Sequence, residues 1–168
     1  MARLVLTDAS PLIGLARVGG LDWLPVLFGT VWMPPEIKAE VLPGLGLPDE
    51  PPLAAALKSG VLREWRRPVA FAARLELPDL DEGETACIRI AHARAARGDE
   101  VLLLIDERAG RAIAMEQGLR IAGTAAVIGM AKSAGLIPSA KAAFTRLHDS
   151  NFRISPEVIR IVLARVGE

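Results

Sequence analysis

Cysteine, charge imbalance and long apolar runs are all scarce in this chain, and each shortage closes off a class of protein. The single Cys87 excludes a disulfide framework and any multi-cysteine zinc or iron–sulfur site, and it suits a reducing cytoplasm. Twenty Lys+Arg against twenty Asp+Glu leave a formal charge of zero. Nucleic acid is therefore not held by bulk positive charge, and any contact with it needs a local patch. The longest stretch without a charge, 23–35, has 13 residues and is broken by Pro25, Gly29 and Pro34. That is too short and too interrupted to span a bilayer. Residues 1–10 set Arg3 and Asp8 around a short apolar run with no signal-peptide core, so a cytoplasmic protein away from membranes is expected.

What remains is a globular composition. With 168 residues, 51% apolar and 24% charged, the chain suits one domain over 1–168, burying about 70% of its unfolded surface. Leu4-Val5-Leu6 ends at Thr7-Asp8, and the run 101–105 ends at Asp106. Near-continuous apolar runs of this length read as strands buried on both faces of a parallel sheet. Weaker strand candidates are 30–33, 61–65 and 119–122. Helical patterns lie between them at 10–18, 21–28, 34–42, 53–59, 81–97, 108–117 and 124–134. The alternation predicts an α/β fold, a central parallel sheet of about five strands with helices on both faces. Residues 139–168 read as two closing helices packed on it, the last capped by Ser155 with Pro156 at its first position. The one low-order segment, 43–52, is a lid or a plain surface loop.

In an open parallel sheet, ligands bind outside the carboxyl ends of the strands, where strand order reverses. Asp8 and Asp106 stand one or two residues past the two strongest strand runs, so neighbouring strands would bring both to such a crevice. Each reads equally well as a helix cap, Asp8 ahead of Ser10-Pro11 and Asp106 ahead of 108–117. In 34–41, Ile37 and Val41 set the apolar face, and Glu40 is expected to point inward with them while Glu36 and Lys38 point outward. A core-facing carboxylate is costly unless paired or bound to a cation. Glu84 is followed by Cys87, Ile88 and Ala91 at i+3, i+4 and i+7, but Asp81-Glu82-Gly83-Glu84 is also a capping-box arrangement. If the four converge they repel one another unless a cation intervenes, and an all-oxygen set suits Mg²⁺ or Mn²⁺ rather than zinc.

Rival chemistries find little support. His92 and His148 are far apart in sequence and outside any metal-ligand spacing, no Gly-x-Ser-x-Gly elbow surrounds a serine, and no Walker loop is present. Cys87 falls on an apolar face and reads as inert core. A phosphotransferase using Asp8 as nucleophile usually needs a second Asp two residues on, where Ser10 stands. Arg63, Arg66 and Arg67 around Trp65, with Arg74 beyond, form the densest basic stretch. It reads as a track for single-stranded RNA or as a solvated strand edge. Arg108 and Arg111, on the helix after Asp106, are placed to meet flanking phosphates.

Asp8-Ala9-Ser10-Pro11-Leu12-Ile13, Glu40-Val41, Asp81-Glu82-Gly83-Glu84, Leu104-Ile105-Asp106-Glu107-Arg108 and Gly123-Thr124, in that order, resemble the successive motifs of PIN domains. Gly123 through Ile128, Ala131-Lys132, Gly135-Leu136-Ile137 and the ending from Asn151 to Glu168 resemble one prokaryotic branch of that family, similar to VapC-type toxins. The resemblance implies metal-dependent cleavage of phosphodiesters, usually RNA, often as the toxin half of a toxin–antitoxin pair, and a homodimer. It carries the acidic metal-binding set to Asp8, Glu40, Glu84 and Asp106. It also makes Ser10 and Thr124 the hydroxyls that orient water or phosphate, although both read as plain helix caps too. The chain departs from the pattern at Glu84, where many relatives carry Asp, and at Glu107, where close relatives often have a second Asp. The alternative from another class is a catalytically weak or inactive PIN-like module acting through protein binding, with apolar positions in 158–166 as its contact surface.

Overall fold

The computed structural model describes residues 3–69, 77 and 79–168. The two strong apolar runs form strands β1 (Arg3–Thr7) and β4 (Glu100–Leu104), which pair in parallel with Thr7 opposite Leu104. Leu4, Val5, Leu6 and Val101 through Leu104 are all buried, because helices cover both faces of the sheet there. The three weaker candidates form β2 (Val31–Met33), β3 (Leu62–Glu64) and β5 (Arg120–Ala122). All pairings are parallel and the order is β3-β2-β1-β4-β5. The chain builds outward from β1 to β3, then returns to place β4 on the other side of β1. The order therefore reverses between β1 and β4, and their carboxyl ends open the crevice such a sheet offers to ligands.

The connecting helices are α1 (Ala9–Arg17), α2 (Trp23–Phe28), α3 (Pro35–Val41), α4 (Glu50–Ser59), α5 (Glu82–Ala95), α6 (Arg108–Glu116) and α7 (Thr124–Ser133), followed by α8 (Ala140–Asp149) and α9 (Pro156–Val166). Helix α4 starts three residues earlier than the sequence pattern suggests. Pro51 and Pro52 fall in its first turn, where the missing N–H costs nothing. The Glu50 carboxylate accepts from the N–H groups of Gly44, Leu45 and Leu47 at 2.9–3.0 Å and ties 43–49 down as a surface turn.

At the far end Ser155 caps α9 through the Val158 N–H, with Pro156 at its first position. Gly129 on α7 lets α9 come close, since a Cβ there would lie 2.9 Å from Val162. The Glu168 carboxylate accepts from the Lys141 and Ala140 N–H groups and the Ser139 hydroxyl, which closes the start of α8 and holds Glu168 down at a pKa of about 2. No described helix is long and apolar enough to cross a membrane.

Candidate active site

Strand β1 delivers Asp8 to the crevice. Its N–H donates to Leu104 O at 2.9 Å, extending the β1–β4 ladder one residue beyond the end of β1. The residue stands at the N-cap of α1, yet its side chain accepts no capping hydrogen bond and only 4% of the residue is exposed. A buried carboxylate without that satisfaction resists ionisation. Burial pushes Asp8 up to a pKa of about 7. The Ala9 N–H pulls it back, and the charges of Glu84, Asp81 and Glu40 add to the rise.

Glu84 holds its place for two reasons, both visible in the sequence. The capping box forms: Asp81 accepts the Glu84 N–H at 2.8 Å, and Glu84 Oε2 accepts the Asp81 N–H at 3.3 Å. The apolar stripe of α5 also forms, burying Cys87, Ile88 and Ala91 and leaving Glu84 only 5% exposed. The other oxygen, Oε1, is buried with no hydrogen-bond partner among the described residues. Beside it passes the first turn of α6, where a Cβ on Gly110 would sit 2.9 Å from Oε1. The pKa of Glu84 is raised by burial, eased by the Asp81 N–H, and raised further by the charges of Asp81, Glu107 and Glu40.

Asp106 follows β4 and is engaged in a different way. One oxygen accepts the Thr124 N–H at 2.7 Å and the other accepts the Thr124 hydroxyl at 2.6 Å. Arg111 donates to Ile105 O at 2.9 Å, and its charge lies near enough to favour the ionised acid. Burial still raises the pKa of Asp106, against the pull of Thr124 and Arg111. Glycine is required at 123, because a Cβ there would lie 2.7 Å from the Asp106 carboxylate and 3.2 Å from the guanidinium.

Several expectations need correction. Glu40 does not point into the core: Ile37 and Val41 bury the seam of α3, and Glu40 stays exposed with its carboxylate leaning over the start of α5 beside Gly83. A short helix can hold an apolar face while a flanking carboxylate keeps its water. Even so, burial and the Asp81 charge raise its pKa. Neither Ser10 nor Thr124 is a helix N-cap. Helix α1 begins at Ala9 and α7 has Gly123 at its cap, so the Thr124 hydroxyl is spent on Asp106. Asp106 does not cap α6, whose N-cap is Glu107; it satisfies the first N–H of α7 instead. Arg111 is half-buried and engaged inside the fold, whereas Arg63, Arg66, Arg67 and Arg108 are exposed. Arg74 lies outside the described residues.

The structure thus gathers Asp8, Glu84 and Glu40 into one field and sets Asp106 on the adjoining strand end. Among the described residues, no three Asp, Glu, His or Cys side chains stand close enough to hold a metal ion between them as they are. Cys87 is fully buried, donates to Thr7 O at 3.4 Å, and has its thiol pushed well up by burial, as an inert core cysteine should. Sequence reasoning left Asp81 out of the site, although its charge raises Asp8, Glu40 and Glu84 together. It also passed over Gly110. The signal was a glycine inside the first turn of a helix, which seldom stands there without a close approach to explain it.

A family model described as PIN domain matches residues 4–168. The chain belongs to the PIN-domain family. No curated protein and no solved structure matches it. PIN domains are generally nucleases and generally use divalent metals, so the chain has a nuclease-type fold. The chemistry of its residues suits such an ion: the donors are all oxygens, Glu84 Oε1 is buried without a partner among the described residues, and the glycines at 110 and 123 keep Cβ atoms away from Glu84 and Asp106.

Proposed function

We propose that this PIN domain is a Mg²⁺- or Mn²⁺-dependent endoribonuclease that hydrolyses single-stranded RNA, acting in the cytoplasm as the toxin half of a toxin–antitoxin pair. The observation that carries the reading is the buried Glu84 Oε1, which has no donor among the described residues, in the field of an Asp8 that burial, and then the charges of Glu84, Asp81 and Glu40, push up to about 7. A donor-less oxygen in a repelling acidic cluster is an environment that a divalent cation satisfies. The partners that go with this reading are RNA, a small antitoxin protein and a second copy of the chain.

Asp8 and Asp106 would hold the ion across the β1–β4 crevice, while Glu84 and the exposed Glu40 would close it from α5 and α3. When bound, the ion neutralises the carboxylates and the scissile phosphate and makes water more acidic. Water would add to phosphorus as the bond to the leaving ribose oxygen breaks, one of its protons ending on that oxygen as a ribose hydroxyl and the remaining hydroxyl staying on the phosphate. Thr124 fixes the Asp106 carboxylate with two donors, so its oxygens keep one orientation towards the crevice. Ser10, half-buried two residues after Asp8, is the remaining hydroxyl at the mouth. Arg108 at the start of α6, Arg63 on the edge strand β3 and Arg66 and Arg67 just beyond it would take flanking phosphates, supplying locally the positive charge the whole chain lacks.

The second reading, a weak or inactive module that works by protein binding, is favoured by two observations. Asp106 already has its needs met by Thr124 and Arg111, and α9 exposes Val158 and Ile161. The deciding assay uses purified protein freed of any antitoxin, a mixed-sequence single-stranded RNA, and either Mn²⁺ or a chelator. Cutting is expected from the parent with Mn²⁺ only, and from Asp8→Asn under neither condition. Equal cutting by both proteins assigns the activity elsewhere. No cutting by either transfers the weight to the module.

A further inference from the structure

A cavity of about 700 Å³ opens beside the acidic crevice, walled by Pro35, Trp65, Val69, Ala86 and Ile90 with Arg67 at its rim. Such a volume is in the usual range for small-molecule pockets, roughly 300–1,000 Å³. It shares helices with the site: Glu36 on its border precedes Glu40 by one turn of α3, and Glu82 precedes Glu84 by two residues in α5. Along α3 the cavity and Glu40 thus share one face, one turn apart, whereas on α5 the cavity residues Glu82, Ala86 and Ile90 stand on the face turned away from Glu84.

The arginines around it differ in what neutralises them. Arg66 is paired with Glu64 at 3.2 Å, and Arg94 lies over the Trp65 ring but is paired with Asp99. Arg67 lies over the same ring, 6.0 Å from its centroid, and among the described residues it meets no carboxylate. One strand inward the arrangement repeats, with Arg63 5.9 Å over Trp32, also without an acid partner among the described residues. The two indoles pack edge to face at 5.7 Å. Trp65 is only 7% exposed, and its indole N–H is buried without an acceptor. Guanidinium planes held on aromatic rings are surfaces on which nucleobases stack, and the unneutralised charge attracts phosphate. Glu36 and Glu82 close the rim on the crevice side and repel a phosphate there, so phosphate is directed to Arg67 and the base to the apolar wall.

We propose that this cavity is a nucleotide subsite: it takes one unstacked base of single-stranded RNA next to the phosphate being cut, with Arg67, held on Trp65, as stacking plane and phosphate anchor. The proposal rests on the ribonuclease reading for its substrate, but its test does not depend on cutting.

Binding is read on the Asp8→Asn protein with Mn²⁺ present, using a labelled ten-nucleotide mixed-sequence RNA and an abasic ribose-phosphate oligomer of the same length. The base-bearing strand should bind about 5- to 100-fold more tightly, the usual worth of one stacked base. Adding Arg67→Gln, or Ala86→Leu to fill the cavity from an α5 position that does not touch the acids, should shrink that ratio towards one. Arg67→Gln should also weaken the abasic strand, while Ala86→Leu should not. A ratio near one in Asp8→Asn alone, or a ratio that survives both added variants, overturns the subsite. So does a glutamate-rich peptide that binds in place of RNA and is lost on Ala86→Leu, since the cavity then serves a protein partner. If the parent cuts RNA but the ratio is absent, only the subsite fails. If the ratio is present and cavity-dependent but nothing is cut, only the nuclease reading fails.

Discussion

The two walls of the crevice solve the problem of a buried carboxylate in opposite ways. On the β4–β5 wall, Asp106 receives two hydrogen bonds from Thr124 and the field of Arg111. On the β1–α5 wall, Asp8 has no side-chain donor, Glu84 keeps one oxygen bare, and the nearest charges are other acids. The first wall is complete without a ligand and the second is not. A buried charge that is paired contributes to one well-defined structure, whereas an unpaired one is tolerated only where something binds. On the proposed reading the duties differ: Asp106 would be a preset anchor, and the Asp8–Glu84 pair would be the part that calls for a cation.

Substituting each aspartate is the strongest way to break the comparison. Both Asp8→Asn and Asp106→Asn should lower RNA cutting by on the order of 10²–10³-fold, the scale for losing one group that stabilises developing charge. Their stabilities should part. Asp8→Asn removes a charge that its surroundings repel, so the metal-free protein should melt higher at pH 8. Asp106→Asn replaces charge-assisted hydrogen bonds and leaves Arg111 without its acid, which should cost about 1.5–3 kcal/mol. Thermal melts in chelator that move both variants the same way would end the distinction between the walls.

The next effect is on pH. Asp8 titrates near 7 in the fold against 3.8 as its ordinary value. A group raised in this way contributes stability fully below its unfolded pKa and loses it as pH rises through the folded one. The metal-free protein should therefore lose stability between about pH 4 and pH 8, by a few kcal/mol at 1.36 kcal/mol per unit. Glu84, Glu40 and Asp106 are raised as well and act with the same sign. Millimolar Mn²⁺ should reverse the loss, because an ion that binds only the folded acids stabilises by mass action, most strongly where they are ionised. A melting temperature independent of pH in chelator, with no shift on Mn²⁺, would remove the cation from the account.

Much of this was legible before any coordinates. The runs 4–6 and 101–105 are apolar on consecutive residues, as doubly covered strands are, and they set Asp8 and Asp106 just past the strand ends. Glu84 was legible twice over, from its capping box and from Cys87, Ile88 and Ala91. Glu40 was misread because helical periodicity gives the direction of a side chain and not its depth. In a seven-residue helix at the protein surface, one position off the seam is already in water. The partnership of Asp106 with Thr124 could not be read at all: 18 positions separate them, and only the β4–β5 pairing brings α7 under the acid.

Gly110→Ala tests how closely the second wall is fitted. The added methyl carbon would sit 2.6 Å from Ile105 Cδ1 and 2.9 Å from Glu84 Oε1. Helix propensity favours alanine by up to about 1 kcal/mol, but overpacking of this kind costs about 1–3 kcal/mol. The net expectation is a protein melting a few degrees lower, with Mn²⁺ affinity reduced because the bare oxygen is displaced. An unchanged melt together with unchanged Mn²⁺ binding would mean that α6 retreats freely and that Oε1 is not held where the ion is needed.

Thr124→Val is the finest probe, since it removes one hydrogen bond from the satisfied wall and almost no volume. The Thr124 N–H still reaches Asp106, and the buried methyl that replaces the hydroxyl fits a site with no exposure. The lost hydroxyl bond should cost about 1 kcal/mol of stability, and the carboxylate, short of one donor, should titrate higher and hold metal less well. Outer partners of metal ligands usually matter by about 10–100-fold, and the lower end is expected here because the backbone donor remains. Thr124→Ser keeps the hydroxyl and should restore both stability and cutting to near the parent. If serine and valine behave alike, the hydroxyl is not what orients Asp106, and the backbone of α7 and the Arg111 charge carry that wall alone.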